Sequence, residues 1–123
     1  MTRAAVDIGS NSLLLLVLND QGEVMRDLSR VIGLGRGLGD AGEFAPDRIR
    51  AAVQTLAQFA LEAQSFGIAP GDVRVAATSA ARRAQNAQDF IDQVQSETGL
   101  RVQVISGEQE ARLTWLGARL GLD

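Results

Sequence analysis

The sequence predicts an α/β domain: a mixed five-stranded sheet with helices on its faces, in the order βββαβαβα. Two observations carry this. Residues 3–32 hold three apolar or alternating segments punctuated by turn residues, as in an antiparallel meander. After a glycine-rich stretch, segments of helical apolar spacing then alternate with short apolar runs, as in helix–strand crossovers.

The elements follow in order. Arg3 to Ile8 reads as a short buried strand, and Gly9-Ser10-Asn11-Ser12 as a turn. Leu13 to Leu18 is aliphatic and reads as the second strand. Asp20-Gln21-Gly22 makes a hairpin turn into a third strand from Glu23 to Ile32. A glycine-rich loop spans Gly33 to Gly42. Pro46 suits the first residue of a helix, because its missing N–H would be unpaired there anyway. Ile49, Val53, Leu56 and Ala60 recur at helical spacing, Phe59 and Phe66 extend that face, and Gly67 suits the C-cap. Val73 to Ala77 reads as a buried strand. Asn86 is expected to cap a helix that turns Phe90, Ile91 and Val94 inward and ends at Gly99. Val102 to Ile105 is the last strand. Ser106 with Gln109 forms a capping box for a final helix from Glu108, carrying Leu113, Leu116 and Leu120 on one face. This order is that of a ribonuclease-H-like lobe, in one domain of 123 residues without repeats or an interdomain linker.

Composition narrows the chemistry. Aromatic residues make up 4%, so aliphatic side chains and alanine must fill the core. The absence of cysteine excludes disulfides, thiol nucleophiles and zinc–thiolate sites. The absence of histidine excludes a Ser-His-Asp triad, a phosphohistidine and histidine metal ligands. Every basic residue is arginine, so there is no Walker or Schiff-base lysine. Carboxylates, hydroxyls, arginines and backbone N–H groups remain, a set suited to hard cations and phosphate. A net charge of −3 argues against a nucleic-acid partner. No segment reaches the roughly 18 apolar residues of a membrane span, and no signal-peptide pattern opens the chain, so a cytoplasmic protein without a membrane partner is expected.

Three segments could carry function. Asp7-Ile8-Gly9-Ser10-Asn11-Ser12 follows the first strand, where glycine lets backbone N–H donors approach a phosphate and Asp7 could hold Mg²⁺ through water. The same residue types also make a plain hairpin turn. Ala77-Thr78-Ser79-Ala80-Ala81-Arg82 sits at a strand's carboxyl end, where α/β folds place ligands, and Arg82 could clamp a phosphate. A helix start capped by Thr78 or Ser79 explains that segment equally well. In Ile105-Ser106-Gly107-Glu108-Gln109-Glu110-Ala111-Arg112, acids in a first helical turn are favoured by the macrodipole regardless of function. Glu108 and Glu110 point to different sides, so at most one of them faces a cleft as general base. Gly37-Leu38-Gly39-Asp40-Ala41-Gly42 matches the dinucleotide fingerprint formally, but the next helix starts only at Pro46 and no first Rossmann strand precedes it. Trp115 reads as core or interface.

Together these segments resemble the exopolyphosphatase/guanosine pentaphosphate phosphatase family. Ala4 to Ser12 looks like the family's first phosphate loop, and Gly33-Leu34-Gly35-Arg36-Gly37-Leu38 its glycine-rich segment after the third strand. Ala77 to Asn86 is similar to its middle motif, and Ile105 to Leu113 to the motif around a catalytic glutamate. The resemblance implies the actin-like ATPase fold and Mg²⁺-dependent hydrolysis of terminal phosphoanhydride bonds, of inorganic polyphosphate or of guanosine pentaphosphate. It implies Glu110 as the catalytic carboxylate that positions water, Arg82 and Ser79 as phosphate contacts, Gly9, Ser10, Asn11 and Ser12 as the phosphate loop, and Asp7 near the metal.

There are two departures. The family's acid before the catalytic one is replaced by Gln109, which can serve the capping box instead. A second loop of the type Asp-Ile-Gly-Gly-Gly-Ser-Thr-Glu is expected after Leu113, yet the sequence stops at Asp123. The expectation is therefore an N-terminal lobe that lacks turnover alone, with the C-terminal lobe of the same protein, or a homodimer, as partner. A stand-alone anion-binding or protein-interaction module is the alternative. A kinase or chaperone ATPase lobe is disfavoured by the Ser79 and Glu110 motifs.

Overall fold

The computed structural model describes residues 1–38 and 42–109. Strands β1 (Arg3–Ile8), β2 (Ser12–Leu18) and β3 (Val24–Val31) come first. Helix α1 (Pro46–Ser65), a 3₁₀ turn (Pro70–Asp72), β4 (Arg74–Ala77), the short α2 (Ser79–Arg83), α3 (Ala87–Thr98) and β5 (Val102–Val104) follow. Residues 107–109 are helical. The expected apolar face of the last helix, Leu113, Leu116 and Leu120, lies outside the described residues, as do Trp115 and Glu110.

The sheet order is β3-β2-β1-β4-β5. The pairs β1–β2 and β2–β3 are antiparallel, whereas β1–β4 and β4–β5 are parallel. The mixed sheet read from the sequence is therefore present. The 3₁₀ turn was not foreseen, whereas α2 begins at the helix start read as one alternative at Thr78 or Ser79, with Thr78 in the N-cap place but making no side-chain cap bond. The segment Ala77 to Asn86 bends through a five-residue helix before α3 begins, so it is not a plain loop.

Alternation fixes which face is inside. In β1, Ala4, Val6 and Ile8 are buried and Arg3, Ala5 and Asp7 exposed; in β2, Leu13, Leu15 and Val17 are fully buried while Leu14 is exposed. The inward set packs with Leu56, Phe59 and Ala60 of α1 and with Phe90 and Val94 of α3 in one cluster. The rings of Phe44 and Phe90 meet edge to face at 5.5 Å, closing that cluster between the loop before α1 and α3.

The ends of the helices are fixed locally. Pro46 occupies the first turn of α1. At its end Gly67, with φ of 81°, gives its N–H to Gln64 O while Ile68 gives its N–H to Ala63 O, the paired bonds of a Schellman cap. Gly99 ends α3 in the left-handed conformation, as expected. Asn86 stands at the N-cap of α3 but makes no cap bond. Its side chain instead accepts from Phe44 N–H at 2.8 Å and donates to Phe44 O at 3.1 Å. It pairs like a strand neighbour and ties the approach to α1 onto α3.

Candidate functional site

β1, β4 and β5 run parallel, so their carboxyl ends share one edge of the sheet. The connection order reverses at β1: the chain leaves it toward β2 and β3 on one side and returns as β4 on the other. Such a switch point opens a crevice beyond the strand ends. The three segments singled out in the sequence all follow strands that end there.

The first segment turns tightly. Gly9 donates its N–H to Ser12 O at 3.0 Å, and a Cβ on Gly9 would stand 3.1 Å from that oxygen, closer than side chains tolerate comfortably. The carbonyls of the next two residues are taken up by the glycine-rich loop. Ser10 O accepts from Gly35 N–H at 2.9 Å, and Asn11 O accepts from Ile32 and Gly33 N–H at 2.9 and 2.8 Å. The N–H groups of Ser10 and Asn11 donate to no group among the described residues. Of the four turn residues, Gly9 therefore spends its amide on the turn itself, while the amides of Ser10 and Asn11 take no acceptor among the described residues.

The second segment is tied to the first. Thr78 gives both its N–H, at 3.2 Å, and its hydroxyl, at 3.4 Å, to Ile8 O. Thr78 is a buried polar residue, and this cross-strand use of its hydroxyl, instead of a cap bond, explains why it is buried. The next residue, Ser79, thereby comes to the turn, with its hydroxyl 3.4 Å from that of Ser10.

The third segment is tied to the second. Ile105 gives its N–H to Ala77 O at 3.0 Å, and Arg82 gives an Nη1 hydrogen to Ile105 O at 2.6 Å. Beyond it the expected capping box is formed: Ser106 N–H donates to Gln109 Oε1 at 2.9 Å, and Gln109 N–H to Ser106 Oγ at 3.1 Å. Part of the Arg82 guanidinium thus fastens the end of β5 to α2.

Gly9, Ser10, Asn11, Ser12 and Ser79 are brought together, and Arg82 reaches the same edge. Asp7 lies one residue before the end of β1, exposed on the sheet face that carries neither α1 nor α3. Among the described residues no group of three or more His, Cys, Asp or Glu converges as a protein-only metal cage. Mg²⁺ is usually held by one or two carboxylates together with substrate phosphate and water, a requirement that a single Asp7 fits. Gly35 and Arg36, read from the sequence within the glycine-rich segment but given no site role there, also lie beside the turn. Gly35 packs against the turn, where a Cβ would stand 3.2 Å from Ser10 Cβ. Arg36 lies over Gly33. The signal was the Gly-x-Gly spacing of Gly33 and Gly35, which marks a backbone that must come close to something.

Residues 7–122 match the model of the Ppx/GppA phosphatase family. The chain belongs to that family. The crystal structure of the Aquifex aeolicus Ppx/GppA phosphatase, type II variant, superimposes with a TM-score of 0.85 at 33% identity; the match covers 91% of this chain and 38% of that one. An exopolyphosphatase from Cytophaga hutchinsonii gives a TM-score of 0.84 at 28% identity, covering 92% of this chain and 36% of that one. The chain thus spans little more than a third of the length of these Ppx/GppA relatives. The ethanolamine utilization protein EutJ of Carboxydothermus hydrogenoformans, 14% identical with a TM-score of 0.54 over 95% of this chain and 40% of its own, shares the fold alone. The fold is the ribonuclease-H-like α/β lobe with a mixed five-stranded sheet. No described helix is long and apolar enough to cross a membrane.

Proposed function

We propose that this chain is the N-terminal, phosphate-binding lobe of a phosphatase that hydrolyses terminal phosphoanhydride bonds of inorganic polyphosphate or guanosine pentaphosphate. The observation that carries the reading is the pair of unused N–H groups at Ser10 and Asn11 beside the facing hydroxyls of Ser10 and Ser79. Neutral donors fixed on rigid strand ends hold an anion without reorganising, and that is the main protein contribution to phosphoryl transfer. Asp7 would hold Mg²⁺ through water; when bound, the ion neutralises charge on the phosphate oxygens. Glu110 would orient the attacking water, and Arg82 would contact phosphate.

A cleft enzyme needs charge neutralisation on both sides of the phosphate, and one lobe supplies one side. The expected behaviour of this chain alone is therefore anion binding without turnover. The test follows the amide signals of Ser10 and Asn11 by ¹⁵N NMR during titration with Mg²⁺ and tripolyphosphate, and phosphate release from long-chain polyphosphate with Glu110→Gln as control. Shifts at those amides with no release above the control support the reading. Amides that ignore the anion overturn the site. Release that Glu110→Gln abolishes shows that this lobe suffices, and the requirement for a second lobe falls.

A further inference from the structure

Arg36 is the residue beside the turn that the function above leaves without work. It belongs to the glycine-rich loop that is sewn to the turn by the three backbone bonds at Ser10 O and Asn11 O. Its side chain lies across Gly33: a Cβ at that position would stand 2.6 Å from Arg36 Nε and 3.1 Å from its Cζ. Gly33 has φ of 71° and donates its own N–H to Asn11 O, so the guanidinium rests on the residue bonded directly to the turn. The Arg36 N–H donates to Gly33 O at 3.0 Å, which closes the loop on itself and limits where the side chain can go. Arg36 is exposed, and among the described residues it has neither a carboxylate nor a carbonyl partner for its side-chain hydrogens. Of the other arginines, Arg26 pairs with Glu62, Arg48 donates to Ile32 O and Arg82 to Ile105 O.

Resting on the reading of the turn as a phosphate site, we propose that Arg36 is a specificity-determining residue that grips a second, non-terminal phosphate of a chain whose first phosphate sits on the Ser10 and Asn11 amides. The ligand class is a linear anion with at least two linked phosphates. In this reading a single phosphate occupies the turn alone, and a longer chain extends from it toward Arg36 on the adjoining Gly33. A guanidinium fork suits phosphate oxygens in two-point contact, and its stacking on glycine holds it ready without a competing carboxylate.

The experiment titrates the 123-residue chain with orthophosphate and with tripolyphosphate, by ¹⁵N NMR and calorimetry, in the unsubstituted protein, Arg36→Gln and Arg36→Lys. The expected result is that Arg36→Gln weakens tripolyphosphate binding about tenfold and orthophosphate binding less than about twofold, with Arg36→Lys between, as for loss of one charged hydrogen-bonding contact. The Arg36 Nε–H signal should move with tripolyphosphate and stay put with orthophosphate. Equal losses for both anions, or none for either, overturn the role of Arg36 while shifts at Ser10 and Asn11 leave the phosphate site standing. If those two amides answer to neither anion, both proposals fall. Arg36 is exposed, so each variant is expected to give an unchanged amide spectrum away from residues 33–38, which confirms that a lost affinity is not a lost fold.

Discussion

The hydroxyls of Ser10 and Ser79 lie 3.4 Å apart although 69 positions separate them in the chain. Parallel pairing of Ile8 with Ala77 brings their strands to a common end, and the two bonds from Thr78 to Ile8 O fix the step from that end to Ser79. At 3.4 Å the hydroxyl contact is long for an O–H···O bond, so its own contribution to stability is small. Its meaning is geometric: two oxygens with rotatable hydrogens face one point at the switch of the sheet.

Replacement of either serine should therefore separate binding from folding. Ser10→Ala and Ser79→Ala are expected to change unfolding free energy by less than about 1 kcal/mol. Each should weaken tripolyphosphate binding several-fold, and the double variant should lose less than the product of the two. Urea denaturation with calorimetric titration of the same four proteins decides this. A strictly multiplicative loss would mean that the hydroxyls act on separate parts of the ligand.

Asn86 supports a different prediction. It pairs with both backbone groups of Phe44, 42 residues away, at a partly buried place. Asn86→Ala leaves a donor and an acceptor without partners and is expected to destabilise the fold by about 1–3 kcal/mol. Asn86→Asp keeps the acceptor for Phe44 N–H but loses the donor to Phe44 O, so it should fall between. An ordinary N-cap would instead leave Asn86→Asp about as stable as the unsubstituted protein, since aspartate caps as well as asparagine. Chemical denaturation of the three proteins separates the two roles.

Asn86 also shows where sequence reading stops. Ala4, Val6 and Ile8, or Ile49, Val53, Leu56 and Ala60, declare their elements because burial of one face imposes a period of two or of 3.6 residues. The Gly67 and Gly99 caps and the Ser106–Gln109 box are legible because their partners are within a few positions. The Phe44 partner of Asn86 is not local, and neither is the Ser10 carbonyl that needs Gly35; only the fold brings them together. The helix Ser79–Arg83 is too short to show a period. The Gly9 to Ser12 turn and Ser79 were singled out from chemistry at strand ends, and they lie together because the parallel strands β1 and β4 end on one edge. Arg82 was read as a clamp, but its bond to Ile105 O was invisible because that carbonyl's free lone pair depends on where β5 stops.

Arg82 therefore carries a structural expectation of its own. Losing the 2.6 Å bond to Ile105 O should loosen the end of β5 more than the rest of the sheet. Arg82→Gln is expected to cost about 0.5–1.5 kcal/mol in global stability, the range for an ordinary bond at a partly exposed site. Amide hydrogen exchange at Ile105, whose N–H goes to Ala77 O, should speed up selectively, while Val6 and Leu15 in the centre of the sheet keep their protection. Uniform acceleration would show that Arg82 acts on the whole fold and not on this junction.

The largest loss of stability is expected at Phe90. Its ring is fully buried, meets Phe44 edge to face at 5.5 Å and sits in the cluster that joins α1, α3 and the inner face of the sheet. Small members of the same cluster, such as Ala52 and Ala63, cannot extend into the space that a lost ring leaves. Phe90→Ala should cost about 3–5 kcal/mol through lost transfer energy and an unfilled cavity. Phe90→Leu keeps most of the volume and loses the ring contact, so it should cost roughly 1–1.5 kcal/mol. Both numbers come from denaturant midpoints at constant slope. Near-equal losses for the two substitutions would place the energy in the edge-to-face contact instead of in the filled volume.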